Sequence, residues 1–145
     1  MALPLEAQLN IQCRHDKAVL KYLGIDKNIR KEIKHRGDQS HDFMFSLALR
    51  ILQLGGDTNY TVGAVVDVTT LGTLFDKHIE LHTGLMTVYL SATKTCVTVS
   101  DETTAEKLRH IEERHESAVC WFEQQKGLIE MVGDEGTYLA EKMST

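Results

Sequence analysis

The sequence predicts an all-α fold in which four long helices form a bundle with one long crossover connection. Only one of the 145 residues is proline, and Pro4 lies where a first helical turn would begin. Over four long stretches, apolar residues recur at steps of three and four, the spacing of one helix face. A single long segment without this period separates the second stretch from the third, so these two helices are expected to run parallel.

Composition and charge exclude several classes of protein. Hydrophobic residues make up 42% of the chain and the formal net charge is only -5, which argues against disorder. No apolar run approaches the roughly 18 residues of a membrane span, and the acidic balance gives no basic face for nucleic acid. The three cysteines are widely spaced and include no Cys-x-x-Cys pair. We therefore expect a single cytoplasmic domain, residues 1–145, that binds neither nucleic acid nor membranes.

The first two predicted helices are separated by a glycine. Helix A is predicted from about Leu5 to Leu23, with Gly24 as its stop. Helix B is predicted from about Asp26 to Leu54 and ends at Gly55. Gly37 lies inside helix B, where glycine costs about 1 kcal/mol against alanine. The apolar period nevertheless continues on both sides of this glycine, in Ile29, Ile33, Phe43, Leu47 and Ile51.

The connection after helix B has no helical period. It combines a polar run, Asp57–Thr61, with a short apolar run, Ala64–Val68. Thr69 or Thr70 can then cap helix C, which is predicted from about Leu71 to Ala92. The residues from Thr93 to Ser100 have strand propensity but are few and isolated, so we predict a connector there.

Helix D is predicted from about Glu102 to Val132. Asp101 supplies the capping start, Gly133 supplies the stop, and a short terminal helix is predicted around Thr137 to Lys142. Four long helices with one crossover describe an up-down-down-up bundle.

Two stretches of the sequence resemble bacterioferritins. The end of helix B reads RILQLGGDTN, similar to the arginine-isoleucine-leucine-x-leucine-x-glycine ending of that family. Late in helix D, WFEQQKGLIEMVGDEGTYL resembles the pattern WxExxxxLIxxxGxxxYL, and LEAQLNIQ near the start is a weaker match. The resemblance implies a ferritin-like four-helix bundle, with the crossover between helices B and C and a short C-terminal helix. It also implies a subunit of a hollow iron-storage cage.

The resemblance further implies a di-iron centre whose carboxylate and imidazole ligands come from all four helices. On helix A, Glu6 falls at a ligand position, and a solvated first-turn acid is the alternative. Helix C offers His78 and His82, with Glu80 between them. A pair at this spacing shares one helix face and can hold a metal ion. Buried, hydrogen-bonded histidines are the alternative.

On helix B the resemblance gives an incomplete ligand set. Counting back from Arg50, the Glu-x-x-His pair of the family falls on Ser40 and Phe43, which cannot bind iron. A shifted register would bring in Asp38 with His41 at the same spacing. His35 with Asp38 is the other pair of this kind.

Helix D contains a literal Glu-x-x-His, formed by Glu112 and His115. Counting back from Trp121 without gaps, however, places the ligand positions of the family at His115 and Ala118. An acidic run with one histidine is also common on a solvated helix face. The resemblance therefore predicts a degenerate ferroxidase centre.

The resemblance also implies haem b between two subunits. The haem-ligand position of the family, a methionine, is occupied by His41, and imidazole is a good axial ligand. Met44 lies close to the same face and is a second candidate. A surface histidine and a core methionine are the alternatives.

Three hypotheses follow. The first is a subunit of an iron-storage shell without its own complete di-iron centre, assembled with itself or with a ligand-complete bacterioferritin subunit. The second is an active ferroxidase that oxidises Fe(II) with O2 at an unusual site, formed by Glu6, Asp38, His41, His78, Glu112 and His115. The third is a small ferritin-like module that binds another protein and no metal.

Overall fold

The computed structural model describes residues 2–25 and 27–143, with side chains to residue 140. The helices are α1 Ala2–Leu23, α2 Lys27–Gln53, α3 Leu71–Thr98, α4 Glu102–Val132 and α5 Glu135–Met143. The first four form a bundle in which α1 packs along α2 and α3 packs along α4. The predicted all-α bundle with a crossover and a short C-terminal helix is confirmed. Asp26, the predicted start of helix B, lies outside the described residues.

The ends of the helices follow the capping residues in the sequence. Thr70 caps α3: its side chain accepts from the backbone N–H of Thr73 at 3.1 Å, and the Thr73 hydroxyl accepts from the Thr70 N–H at 3.1 Å. Asp101 caps α4 by accepting from the N–H of Thr104 at 3.1 Å. Gly133 ends α4 with φ of 97°, a conformation that glycine adopts without strain.

Helix α3 is longer than the sequence indicated. The connector predicted from Thr93 to Ser100 is wrong, because the helix continues to Thr98. The hydroxyl of Thr93 donates to the carbonyl of Tyr89 at 2.8 Å, so this β-branched residue keeps a helical partner one turn back. Ala92 and Cys96 also pack against the core, and this burial outweighs the local strand propensity.

The crossover between α2 and α3 is held against α1 by glutamine side chains. Gln8 Nε2 donates to the carbonyl of Ala64 at 3.0 Å. Gln12 pairs in both directions with Val66: its Nε2 donates to the carbonyl at 2.8 Å and its Oε1 accepts from the N–H at 3.0 Å. Because the segment has no helix or strand of its own, these bonds fix its course along α1.

Large aromatic side chains fill much of the bundle core and also seat the last helix. The fully buried ones are Phe75, Tyr89, Phe122 and Tyr138. Tyr138 belongs to α5, and its hydroxyl donates to Gln125 Oε1 of α4 at 2.6 Å. Within the described ranges, no helix is long and apolar enough to cross a membrane.

Candidate metal centre in the bundle interior

Among the described residues, five carboxylate and imidazole side chains lie in the interior of the bundle. They are Glu6, Asp16, His78, His82 and His115, and none is more than 2% exposed. Burial of a polar group is unfavourable unless hydrogen bonds replace those lost to water. The partners of these side chains therefore define what the site can do.

The carboxylate of Glu6 is the centre of the first cluster. Its Oε2 accepts from the Tyr89 hydroxyl at 2.8 Å and from His115 Nε2 at 3.0 Å. The Ser40 hydroxyl lies 3.2 Å from Oε1 and 2.8 Å from the Glu6 carbonyl oxygen. Burial, reinforced by the charge of Glu6, raises the pKa of Tyr89, so the phenol keeps its proton and acts as the donor. The alternative of a solvated first-turn acid is wrong, because Glu6 is fully buried.

His115 joins this cluster to α3. Its Nε2 lies 3.0 Å from Glu6 Oε2, and its Nδ1 shares a hydrogen bond of 2.8 Å with His82 Nδ1. Burial, followed by the proximity of His115, lowers the pKa of His82 well below its ordinary value. His82 is therefore neutral at physiological pH, and its Nε2 is buried without a hydrogen-bond partner.

Asp16 is the centre of the second cluster. It accepts from His78 Nε2 at 2.7 Å, from Gln12 Nε2 at 3.0 Å and from His15 Nδ1 at 3.0 Å. Burial acts to raise the pKa of Asp16, but these hydrogen bonds outweigh it and lower the pKa. His15 Nε2 also lies 3.0 Å from Asp67 Oδ1, so this cluster reaches the surface of the crossover.

Aromatic rings enclose the imidazoles of both clusters. Tyr89 stacks on His115 with ring centroids 5.6 Å apart, and Phe43 meets the same ring edge-on at 5.6 Å. Phe122 stacks against His78 at 5.1 Å and against His82 at 6.0 Å. These apolar walls strengthen the hydrogen bonds inside them by lowering the local dielectric.

Not all of the residues predicted on α2 reach the interior. Ser40 contacts Glu6, and Phe43 packs against His115. Asp38 and His41 are exposed, and Asp38 pairs with Lys34 at 2.8 Å. Met44 is half-buried and packs against the core together with its apolar neighbours.

On α4 the structure separates the two members of the literal Glu-x-x-His. His115 reaches Glu6, whereas Glu112 is half-buried. Burial, together with repulsion from Glu116 and Glu113, raises the pKa of Glu112.

Sequence reasoning missed Asp16 and Tyr89. A signal for Asp16 was present, because Glu6, Leu9, Cys13, Asp16 and Leu20 follow the step of three and four that marks the buried face of α1. A carboxylate within such a stripe indicates a buried polar site.

Solved structures share this fold. The bacterioferritin BfrA of Mycobacterium tuberculosis superimposes with a TM-score of 0.89 and is 20% identical in sequence. The match covers 97% of this chain and 87% of that one. The fold is ferritin-like. No protein-family model matches the sequence, and no curated protein matches it either.

The interior of this ferritin-like bundle does not fit the di-iron centre that the sequence resemblance implies. Such a centre takes carboxylates from all four helices and imidazoles from two of them. Here α2 supplies Ser40 and Phe43, and the carboxylate of Glu6 already accepts hydrogen bonds on both oxygens. Across the part of the chain that the structure describes, no group of three or more His, Cys, Asp or Glu side chains is placed to hold a metal ion.

Proposed function

We propose that this chain is a structural subunit of a ferritin-type iron-storage shell and that it has no ferroxidase activity of its own. One observation supports the second part directly. At the point where α2 faces Glu6, it presents the hydroxyl of Ser40 and the phenyl ring of Phe43 instead of a carboxylate and an imidazole. Two irons would lack the ligands that this helix must supply.

Purified protein is expected to oxidise Fe(II) under oxygen no faster than a protein-free control. The growth of ferric absorbance measures the rate. Oxidation by the wild type well above the control would contradict the proposal if it disappeared in His115→Ala but persisted in His110→Ala, which alters an exposed histidine of the same helix.

An apolar stripe on α2 supports the assembly of a shell. Phe45, Leu49 and Leu52 are 70%, 45% and 60% exposed, and their steps of four and three place them on one face. We name these three residues the α2 stripe. Contiguous exposed apolar surface marks a protein contact. The contact would join copies of this chain, or join it to a ligand-complete bacterioferritin subunit that oxidises the iron.

Phe45→Glu is expected to reduce the assembly to monomers or small oligomers, because a carboxylate in the α2 stripe would lose its hydration at the contact. Light scattering coupled to gel filtration measures the particle mass. Ser46→Glu is the control, since it adds the same charge to α2 at an exposed position outside the stripe. A wild type that runs as a 16.4 kDa monomer would contradict a shell and favour the interaction module. The intact mass of native particles shows whether a second subunit is present.

We also propose that the surface of α2 binds a haem. His41 is exposed one turn before Phe45, so its imidazole lies beside the α2 stripe. Bound there, haem b would take its axial ligand from His41, and a twofold contact would supply the second from the other copy. Protein titrated with haemin is expected to show a bis-imidazole Soret spectrum that His41→Ala abolishes and that the exposed control His35→Ala retains. A haem spectrum without bis-imidazole character that persists in His41→Ala and is lost in Met44→Leu would assign the ligand to Met44 instead.

A further inference from the structure

Basic side chains form a row on α1 and a second row on α2. Within each row the residues are three or four positions apart, so each row follows one helix face. Arg14 and Lys17 of α1 and Lys34 of α2 line one groove between the two helices, which places the rows on the same side of the pair. We name these residues the basic surface: Arg14, Lys17 and Lys21 on α1, and Lys27, Lys31 and Lys34 on α2.

Little negative charge opposes the basic surface. Among the described residues, only Lys34 of this set forms an ion pair, with Asp38 at 2.8 Å. Two other described carboxylates of these helices are engaged elsewhere: Asp16 is buried in the interior, and Glu32 pairs with Arg36 at 2.7 Å. Cations grouped in this way produce a positive potential, so the basic surface suits an anionic partner.

Carboxylates form a matching cluster on α4. Glu112, Glu113 and Glu116 are three or four positions apart, and Glu123 lies seven positions after Glu116, so all four share one side of the helix. We name these four residues the acidic surface. Within the described ranges, none of them forms an ion pair. Arg114 directly follows Glu113 and therefore lies on another side of α4.

The nearby cations of α4 are already paired. Arg109 lies 3.6 Å from Glu102 and 3.3 Å from Glu106, and Lys126 pairs with Asp76 of α3. The acidic surface therefore keeps its negative charge.

The members of the acidic surface also repel one another. Glu112 is half-buried, and burial, followed by repulsion from Glu116 and Glu113, raises the pKa of its carboxyl. A cationic partner would remove this repulsion. The basic surface of the same chain does not do so: α1 packs along α2 and α3 packs along α4, and no ion pair joins the two surfaces in the described part of the chain. Each surface is therefore left for another molecule.

We propose that the basic surface of one copy binds the acidic surface of a second copy. This inference rests on the proposed shell function and deepens it. If the α2 stripe joins two copies about a twofold axis, that contact alone closes at a dimer, and a larger assembly needs a second contact between different surfaces. Opposite charges on the two surfaces would steer this contact and disfavour the pairing of like surfaces.

A second copy fits better than a nucleic acid, the other common partner of basic surfaces. A nucleic acid would leave the acidic surface without a partner, and it would be repelled by a chain whose formal net charge is -5. A second copy satisfies both surfaces at once.

The first test is the salt dependence of the wild-type particle mass, measured by light scattering coupled to gel filtration. The Debye length falls from about 10 Å at 0.1 M salt to about 3 Å at 1 M, which screens exposed charges. We expect the particle to dissociate as NaCl rises to about 1 M, and to stop at dimers because the apolar α2 stripe is not screened. An unchanged mass at this salt concentration would overturn the inference. A monomer at every salt concentration would contradict the shell itself.

The second test reverses the charges. Lys21→Glu with Lys31→Glu alters the basic surface, and each residue is exposed. Glu113→Lys with Glu116→Lys alters the acidic surface. Each double variant is expected to run as a dimer at low salt. The chain with all four substitutions is expected to recover the wild-type mass, because its surfaces are again opposite in charge. That recovery separates a lost contact from a lost fold.

Lys94→Glu with Lys107→Glu is the matched control, since it makes the same change of charge at exposed positions of α3 and α4 outside both surfaces. It is expected to assemble like the wild type. Normal assembly of either double variant, or no recovery in the chain with four substitutions, would overturn the inference. If Lys21→Glu with Lys31→Glu assembles normally but loses binding to duplex DNA in a gel-shift assay, the basic surface binds nucleic acid instead.

Discussion

Glu6→Ala is expected to lower the free energy of unfolding by about 3–5 kcal/mol, the range seen when one partner of a buried charged pair is removed. The carboxylate is fully buried and accepts from Tyr89 and His115. Its removal leaves these buried donors without an acceptor, and each unsatisfied group is unfavourable by about 1–3 kcal/mol. Urea unfolding followed by circular dichroism measures the loss.

Two further variants separate hydrogen bonding from charge in this experiment. Glu6→Gln keeps one acceptor oxygen and is expected to be less destabilising than Glu6→Ala. Glu106→Ala removes a carboxylate on the surface of α4, where its pairing with Arg109 is exposed, and is expected to change stability by less than about 1 kcal/mol.

The result also bears on the role of Glu6. Residues kept for function often reduce stability, so their removal is neutral or stabilising. Glu6→Ala with wild-type stability would therefore mean that the hydrogen bonds of Glu6 do not hold the bundle together. It would favour Glu6 as a metal ligand and the active ferroxidase as the function.

The fold could be predicted from the sequence because its determinants are local. These determinants are the scarcity of proline, the apolar residues at helical steps and the caps Thr70 and Asp101. Each of them depends on only a few neighbouring residues. The end of α3 was not predicted because the contacts that determine it are not local. The strand propensity from Thr93 onward is local, whereas the packing of Ala92 and Cys96 that overrides it comes from the rest of the bundle.

The candidate site was less predictable because its contacts join distant parts of the chain. Asp16 meets His78 62 positions later, and Glu6 meets His115 109 positions later. Counting along the family pattern could place Ser40 and His115 in the interior of the bundle. It could not show that both side chains contact Glu6. The hydrogen bond between His82 and His115 is likewise not local, because it joins α3 to α4 across 33 positions of the chain.

Gly37→Val is expected to lower the free energy of unfolding by about 3 kcal/mol, although glycine in a helix interior is itself unfavourable by about 1 kcal/mol. A Cβ at this position would lie 2.9 Å from Cys13 Cβ. Asn10 Nδ2 also donates to the Gly37 carbonyl at 2.9 Å, so a side chain of α1 contacts the backbone of α2 at this position. The glycine that weakened the helix prediction is thus the residue that allows these helices to approach.

Other glycines give the matched controls. Gly84 and Gly127 lie in α3 and α4, and a Cβ at either would meet nothing within 4 Å. Gly84→Ala and Gly127→Ala are expected to stabilise the protein by up to about 1 kcal/mol, the helix-propensity gain alone. Gly37→Ala is expected to be destabilising, and Cys13→Gly in the same chain is expected to relieve part of that loss by removing the opposing Cβ.

The close approach of α1 and α2 at Gly37 also positions Ser40 against Glu6 in the candidate site. Ser40 lies one turn after Gly37 on α2 and reaches the carbonyl of Glu6 at 2.8 Å, so pushing α2 away from α1 stretches this bond. Gly37→Val is therefore expected to increase amide hydrogen exchange in both helices around the Glu6 cluster, while Gly84→Ala leaves it unchanged. The opposite result is a Gly37→Val variant that matches the wild type in stability and in hydrogen exchange. That result would mean that α1 and α2 accommodate the added side chain without separating, and that the hydrogen bond between Ser40 and Glu6 does not depend on the close approach of the two helices at Gly37.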